Sequence, residues 1–229
     1  FYFKRHYHAD ALPALLKLME IYPKETSYIE KAGYCRFKEG DVAGALELYK
    51  RAEIFKPDSP WLTRQIATCL KLTGRYADAE EYYQRELDAN PDNYKAIMNL
   101  GHCALQQENL ETALRHYYHA DYISPENATP KRAIAWVELL KGNYDKSREY
   151  YDRLLRGEPT KTDYLNAGHL HFLQKDYRGA LELYKRYCRE CGIPASALAD
   201  QIKDDYEVLG RGGDLGDLRL LLEKLEMEE

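Results

Sequence analysis

The sequence predicts an all-α fold, a right-handed α-α superhelical solenoid of stacked helical hairpins. Three observations predict it. Pro23, Pro57, Pro91, Pro125 and Pro159 recur at intervals of 34 residues. Small residues return in phase between them: Gly33, Ala67, Gly101 and Ala135, then Gly40, Gly74 and Gly142, then Ala45, Ala79 and Ala113. Tyr49, Tyr83, Tyr117 and Tyr151 keep the same step. A fixed period in this range marks a helical array, in which each unit buries its apolar face only against its neighbours.

The period divides the chain into units at 26–59, 60–93, 94–127, 128–160 and 161–194. Each reads as two helices. In the first, apolar residues recur at helical spacing, as in Ile29, Ala32, Gly33 and Phe37, or Ile97, Leu100, Gly101 and Ala104. A turn follows at Gly40, Gly74 or Gly142, where glycine accepts the left-handed conformation that ends a helix. The second helix carries Ala45, Tyr49 and Ala52, or Ala79, Tyr83 and Leu87, and a proline closes it. Gly33 and Ala45, or Gly101 and Ala113, are expected where the two helices approach most closely. The tyrosines fill the space between units, so most of the 21 are packing residues.

The ends depart from the period. Residues 1–25 read as the second helix of a preceding unit, with Ala11 in its small-residue place and Leu15 and Leu18 on its buried face. The expectation is therefore a piece of a longer array, or one that has lost residues from its front. In 195–229 the letters of the repeat fade. Leu198, Ile202, Tyr206 and Leu209 mark one helix, Gly210–Gly213 a break, and Leu218, Leu221, Leu222 and Leu225 another, together a diverged capping hairpin.

Composition adds exclusions. A net charge of −5 gives no global pull toward nucleic acid or acidic membrane surfaces, and no apolar run approaches the roughly 20 residues needed to cross a bilayer. Cys35, Cys69 and Cys103 share one place in three successive units, too far apart for disulfides. Free core thiols fit a reducing, cytoplasmic setting.

The pattern resembles the tetratricopeptide repeat family over most of the chain. Leu100, Gly101, Ala113, Tyr117, Ala120 and Pro125 fill the family's favoured places in the third unit. Ile66, Ala67, Gly74, Tyr76, Ala79, Tyr83 and Pro91 do so in the second, and Gly168, Tyr177, Ala180 and Tyr184 in the fifth. The fourth departs most, with Ser147 for the usual alanine and Leu154 for another, and the fifth lacks its closing proline.

The resemblance implies that first helices line an inner groove. It selects Lys31, Tyr34 and Lys38, then Trp61, Arg64, Gln65, Thr68 and Lys71, then Lys95, Met98, Asn99 and His102. In the last two units it selects Arg132, Trp136 and Leu139, then Asn166, His169 and Phe172. These places hold six Lys or Arg against one acid, Glu30, and both tryptophans. Arg, Trp and Tyr are frequent interface anchors. Some family members grip a C-terminal carboxylate with Lys, Asn and Arg at set places. Here Arg64 substitutes for the first lysine and Asn99 matches the asparagine of the next unit, but Thr68, Thr129 and Ala133 replace the expected Asn, Lys and Arg, so a chaperone-tail receptor does not follow.

Chemistry is sparse. Cys188 and Cys191 form a C-x-x-C without a second pair or a nearby strand. Only His116 and His119, among the close histidine pairs, share a helix face. No P-loop, G-x-S-x-G or H-E-x-x-H occurs, and paired acids read as solvated faces. The expectation is a non-catalytic scaffold without cofactor or metal. It binds a protein or peptide with acidic or carboxylate groups in a basic groove, not nucleic acid. Reversing the charge of Arg64 or Arg132 is then expected to abolish capture without loss of helix. The alternative is a structural spacer or self-association element of a larger protein, forming homo-oligomers through the open N-terminal end.

Overall fold

The computed structural model describes residues 8–194 and, beyond them, residues 197, 198, 202, 205, 206, 209, 220, 221 and 223. The described residues form eleven helices and fall into two compact units, residues 1–123 and 124–229. Residues 1–7 of the expected leading helix, and the expected features at Gly210–Gly213, Leu218, Leu222 and Leu225, lie outside the described residues.

The first unit contains α1 (His8–Ile21), α2 (Thr26–Lys38), α3 (Val42–Phe55), α4 (Pro60–Leu72), α5 (Tyr76–Ala89), α6 (Tyr94–Gln106) and α7 (Leu110–Ile123). From α1 to α7 each helix packs on the next in the chain. Short polar side chains start α3, α4 and α6. Asp41, Ser59 and Asn93 accept hydrogen bonds from Gly44, Leu62 and Ala96 backbone N–H groups, which otherwise lack helical partners. Ala11 and Leu15 lie in the core beside Met19, and Leu18 is half-buried. A charge at Leu15 would therefore test folding before it tested assembly.

The hairpin turns share one backbone bond. Asp41, Arg75, Asn109, Asn143 and Asp176 each donate N–H to the carbonyl five residues earlier, at 2.9 Å. That bond closes a helix through a residue in the left-handed region. Gly40, Gly74 and Gly142 supply it with φ of 87°, 75° and 77°, whereas Glu108 and Lys175 are forced into it at 59° and 63°. A side chain there costs about 1–2 kcal/mol. Against glycine's larger unfolded-state entropy, Glu108→Gly and Lys175→Gly are each expected to stabilise by about 0.5–1 kcal/mol, seen as a higher Tm by circular dichroism.

Glycine in the first helix has a different reason. A Cβ on Gly33 would stand 2.7 Å from the Tyr49 ring, and one on Gly101 would stand 2.4 Å from Tyr117. The aromatic ring, not the second-helix alanine, fills the notch. Tyr49, Tyr83 and Tyr117 are almost wholly buried. Cys35, Cys69 and Cys103 are free and fully buried beside them, and burial pushes the Cys69 and Cys103 thiols up to about 11.

The second unit contains α8 (Ala128–Leu140), α9 (Tyr144–Arg156), α10 (Lys161–Leu173) and α11 (Tyr177–Cys191). Ser147 stands in a core alanine's place because its Oγ donates to the Ala135 carbonyl at 2.9 Å, so its own buried hydroxyl is not stranded. The missing proline after α11 is replaced by Gly192 at φ 64°. Leu198, Ile202, Tyr206 and Leu221 join the core built on α10 and α11. Three acids depart from the expected solvated faces: Glu86 in the first unit and Glu138 and Asp163 in the second are buried.

Candidate protein-binding face

In the first unit α2, α4 and α6 form one layer, tied across the hairpins by Lys71 Nζ donating to Asn99 Oδ1 at 2.6 Å. Lys31, Lys38, Trp61, Arg64, Lys95 and His102 are exposed on this layer, while Tyr34, Gln65, Thr68, Lys71 and Asn99 are half-buried. Lys38 lies 5.3 Å from the Tyr34 ring centre. Trp61 is 38% exposed and stands edge-on to Tyr49, with centroids 5.5 Å apart. Tyr49 of the core therefore braces part of the indole while the rest meets solvent. Thr68 Oγ donates to the Arg64 carbonyl at 2.8 Å. His102 is exposed, yet neighbouring protein atoms desolvate it and, with the charge of Lys71, lower its pKa below the usual imidazole value.

Met98 departs from its expected place on this face. It is 6% exposed, because an apolar side chain at this helix position gains nothing in water and folds into the core. Arg64, at the equivalent position of α4, extends outward and meets Glu86 through Nε at 3.2 Å.

In the second unit Arg132, Trp136 and Asn166 are half-buried. Arg132 is engaged by structure: Nε lies 3.0 and 2.8 Å from the Asp163 carboxylate oxygens, and Nη2 donates to the Glu158 carbonyl at 3.1 Å. Charge reversal at Arg132 would set two acids together in a buried site, so helix content would not survive it unchanged. His169, Leu139 and Phe172 are corrections. His169 is fully buried between Tyr184 and Asp205, and Leu139 and Phe172 are 2% and 4% exposed. Asp205 and Tyr206 cover what would otherwise be an open helix face.

The buried acids were missed as partners of the arginines. Thr160 and Asp163 form a T-x-x-D capping pair, with the Asp163 carboxylate accepting from Thr160 N–H at 2.7 Å. That spacing was a usable signal for an acid held inside. Glu86 had none. With Arg64 and Arg132 so paired, the cation excess on the exposed layer rests on Lys31, Lys38, Lys71 and Lys95. Among the described residues, no three His, Cys, Asp or Glu side chains come together as a metal site, and no helix is long and apolar enough to cross a membrane.

Comparison with known proteins agrees with this architecture. A cow protein named as BBSome complex member BBS4 is 26% identical over 136 residues, covering 59% of this chain and 26% of that protein. The general transcriptional corepressor ssn6 of Schizosaccharomyces pombe is 32% identical over 121 residues, 52% of this chain and 11% of the corepressor. The chain thus spans about a quarter or less of the length of these relatives. A crystal structure of a tetratricopeptide repeat protein from Parabacteroides merdae superposes with a TM-score of 0.74 at 17% identity, over 99% of this chain and 94% of the other. Tetratricopeptide repeat profiles match residues 36–100, and 73–128 with 132–192, the last two together just over half of the sequence. The chain belongs to the tetratricopeptide repeat family.

Proposed function

We propose that the first unit holds an acidic segment of a partner protein along α2, α4 and α6. As a tetratricopeptide repeat chain, the protein is an interaction scaffold. The observation that carries the acidic-segment reading is the Lys71–Asn99 contact, which sets a cation and an amide from adjacent hairpins side by side, in a unit whose first helices also carry exposed Lys38, Lys95 and Trp61. A carboxylate arriving there gains charge-assisted hydrogen bonds. An apolar side chain gains the open part of an indole already braced by Tyr49, with little ordering cost. Protein rather than nucleic acid fits four lysines spread over three helices without a repeating polar code. The relative named for its complex also favours a protein subunit as partner. No catalytic role is assigned.

Lys71→Glu is expected to weaken capture of the native partner, or of an acidic peptide, by about tenfold or more, with the far-ultraviolet circular dichroism unchanged. Fluorescence titration of Trp61 measures it. Unchanged affinity in both Lys71→Glu and Lys38→Glu would exclude this face.

A further inference from the structure

Two hairpins place a histidine directly after the helix glycine: His102 after Gly101 in α6, and His169 after Gly168 in α10. Each imidazole stands on the tyrosine that fills the glycine notch, in nearly the same pose. His102 and Tyr117 have centroids 5.7 Å apart and planes at 61°, and His169 and Tyr184 have 5.7 Å and 60°. The surroundings differ. His169 has no exposure: Nδ1 is 2.9 Å from the Tyr184 hydroxyl, Nε2 is 3.2 Å from Asp205 Oδ2, and Tyr206 packs edge-on at 5.4 Å. His102 is open to solvent, and the Tyr117 hydroxyl behind it is buried without a hydrogen-bond partner. Facing His102 from the neighbouring helices of its unit are the Lys71 ammonium of α4 and the Tyr117 hydroxyl of α7. On its own helix, Asn99 precedes it by three residues and accepts from Lys71.

The chain therefore contains its own example of a carboxylate seated on this histidine–tyrosine pair. We propose that His102 reads an aspartate or glutamate side chain of the partner segment, donating to it from the ring as His169 meets Asp205. The other ring nitrogen turns to the Tyr117 hydroxyl, giving that buried group the partner it lacks, and Lys71 supplies the second positive charge. This rests on the reading of the first unit as the peptide-binding face.

Proton uptake follows from the electrostatics. Without ligand, desolvation and then Lys71 hold the imidazole neutral to lower pH than usual. A carboxylate in contact favours the imidazolium, so the bound state has the higher pKa. Affinity then rises as pH falls from above the bound pKa to below the free one, and is flat outside that window. Each unit of pKa increase corresponds to about a tenfold gain.

The test uses the full chain, short poly-L-glutamate as probe, and poly-L-lysine as the oppositely charged reference. Imidazole resonances are followed by 15N NMR, with His102 assigned through His102→Gln. Poly-L-glutamate is expected to raise the His102 titration midpoint. By Trp61 fluorescence, binding is expected to be severalfold tighter at about pH 6 than at about pH 8, a difference that His102→Gln abolishes. Lys71→Gln is expected to weaken binding at both pH values and to move the window of pH dependence upward, because the imidazole loses a neighbouring positive charge that disfavours its proton. Binding seen at Trp61 without movement of the His102 midpoint, or with full pH dependence in His102→Gln, would overturn the assignment and leave the peptide-binding face standing. No binding of poly-L-glutamate at either pH would overturn both.

Discussion

Replacing Tyr49 by alanine is expected to destabilise the first unit by about 3–5 kcal/mol, whereas Tyr49→Phe is expected to shift stability by less than about 1 kcal/mol in either direction. The contrast comes from which part of the side chain is engaged. The ring is wholly buried, fills the notch that Gly33 leaves, and supports Trp61 edge-on at 5.5 Å. Truncation opens a cavity between two hairpins whose backbones cannot close on it without losing the packing of Ile29, Ala32 and Ile66. The hydroxyl is buried with no hydrogen-bond partner, and burial drives its pKa far above the ordinary phenol value. Phenylalanine removes that desolvated group and keeps the ring. Urea unfolding followed by circular dichroism measures both variants. A Tyr49→Phe loss as large as that of Tyr49→Ala would mean that the hydroxyl, not the ring, holds the hairpins together.

Asp163→Ala is expected to cost the second unit about 2–4 kcal/mol. The carboxylate is 2% exposed and fully used: it meets Arg132 Nε with both oxygens and accepts from the Thr160 N–H and hydroxyl at 2.7 and 2.9 Å. Alanine removes the capping pair at the start of α10, worth about 1 kcal/mol. It also strands a guanidinium whose side chain is only 28% exposed. That partial exposure places the cost below the upper range for buried pairs, because Arg132 recovers some hydration. Arg132→Ala is expected to cost a similar amount for the mirrored reason, a buried acid without its cation. A double-mutant cycle in guanidinium chloride should give a coupling of about 1 kcal/mol or more. Additive losses would show that the two side chains act independently.

The repeat, the hairpins and the core were legible because each rests on residues near one another in sequence or in fixed phase. Proline ends a helix locally, and Gly101 needs only the tyrosine sixteen residues on. The candidate face was legible as a set of positions but not as a set of exposures. His102 and His169 share one register, and only Asp205 and Tyr206 decide that one is open and the other covered. Met98 and Arg64 also share a register, and the presence or absence of a charged end sends one inward and the other to Glu86. Glu108 and Lys175 hide in the same way: nothing in either letter announces a left-handed residue, and only their place in the repeat, 34 residues after Gly74 and 33 after Gly142, hints at it.

The evenly spaced thiols of the first unit have a use in kinetics. Cys35, Cys69 and Cys103 are chemically alike, equally hidden, and placed one per hairpin. An alkylating reagent reaches each only when its own hairpin opens, so three modification rates on one sample give three local opening free energies. The array thus carries an internal gauge of whether it frays from one end, loosens in the middle, or opens as a whole.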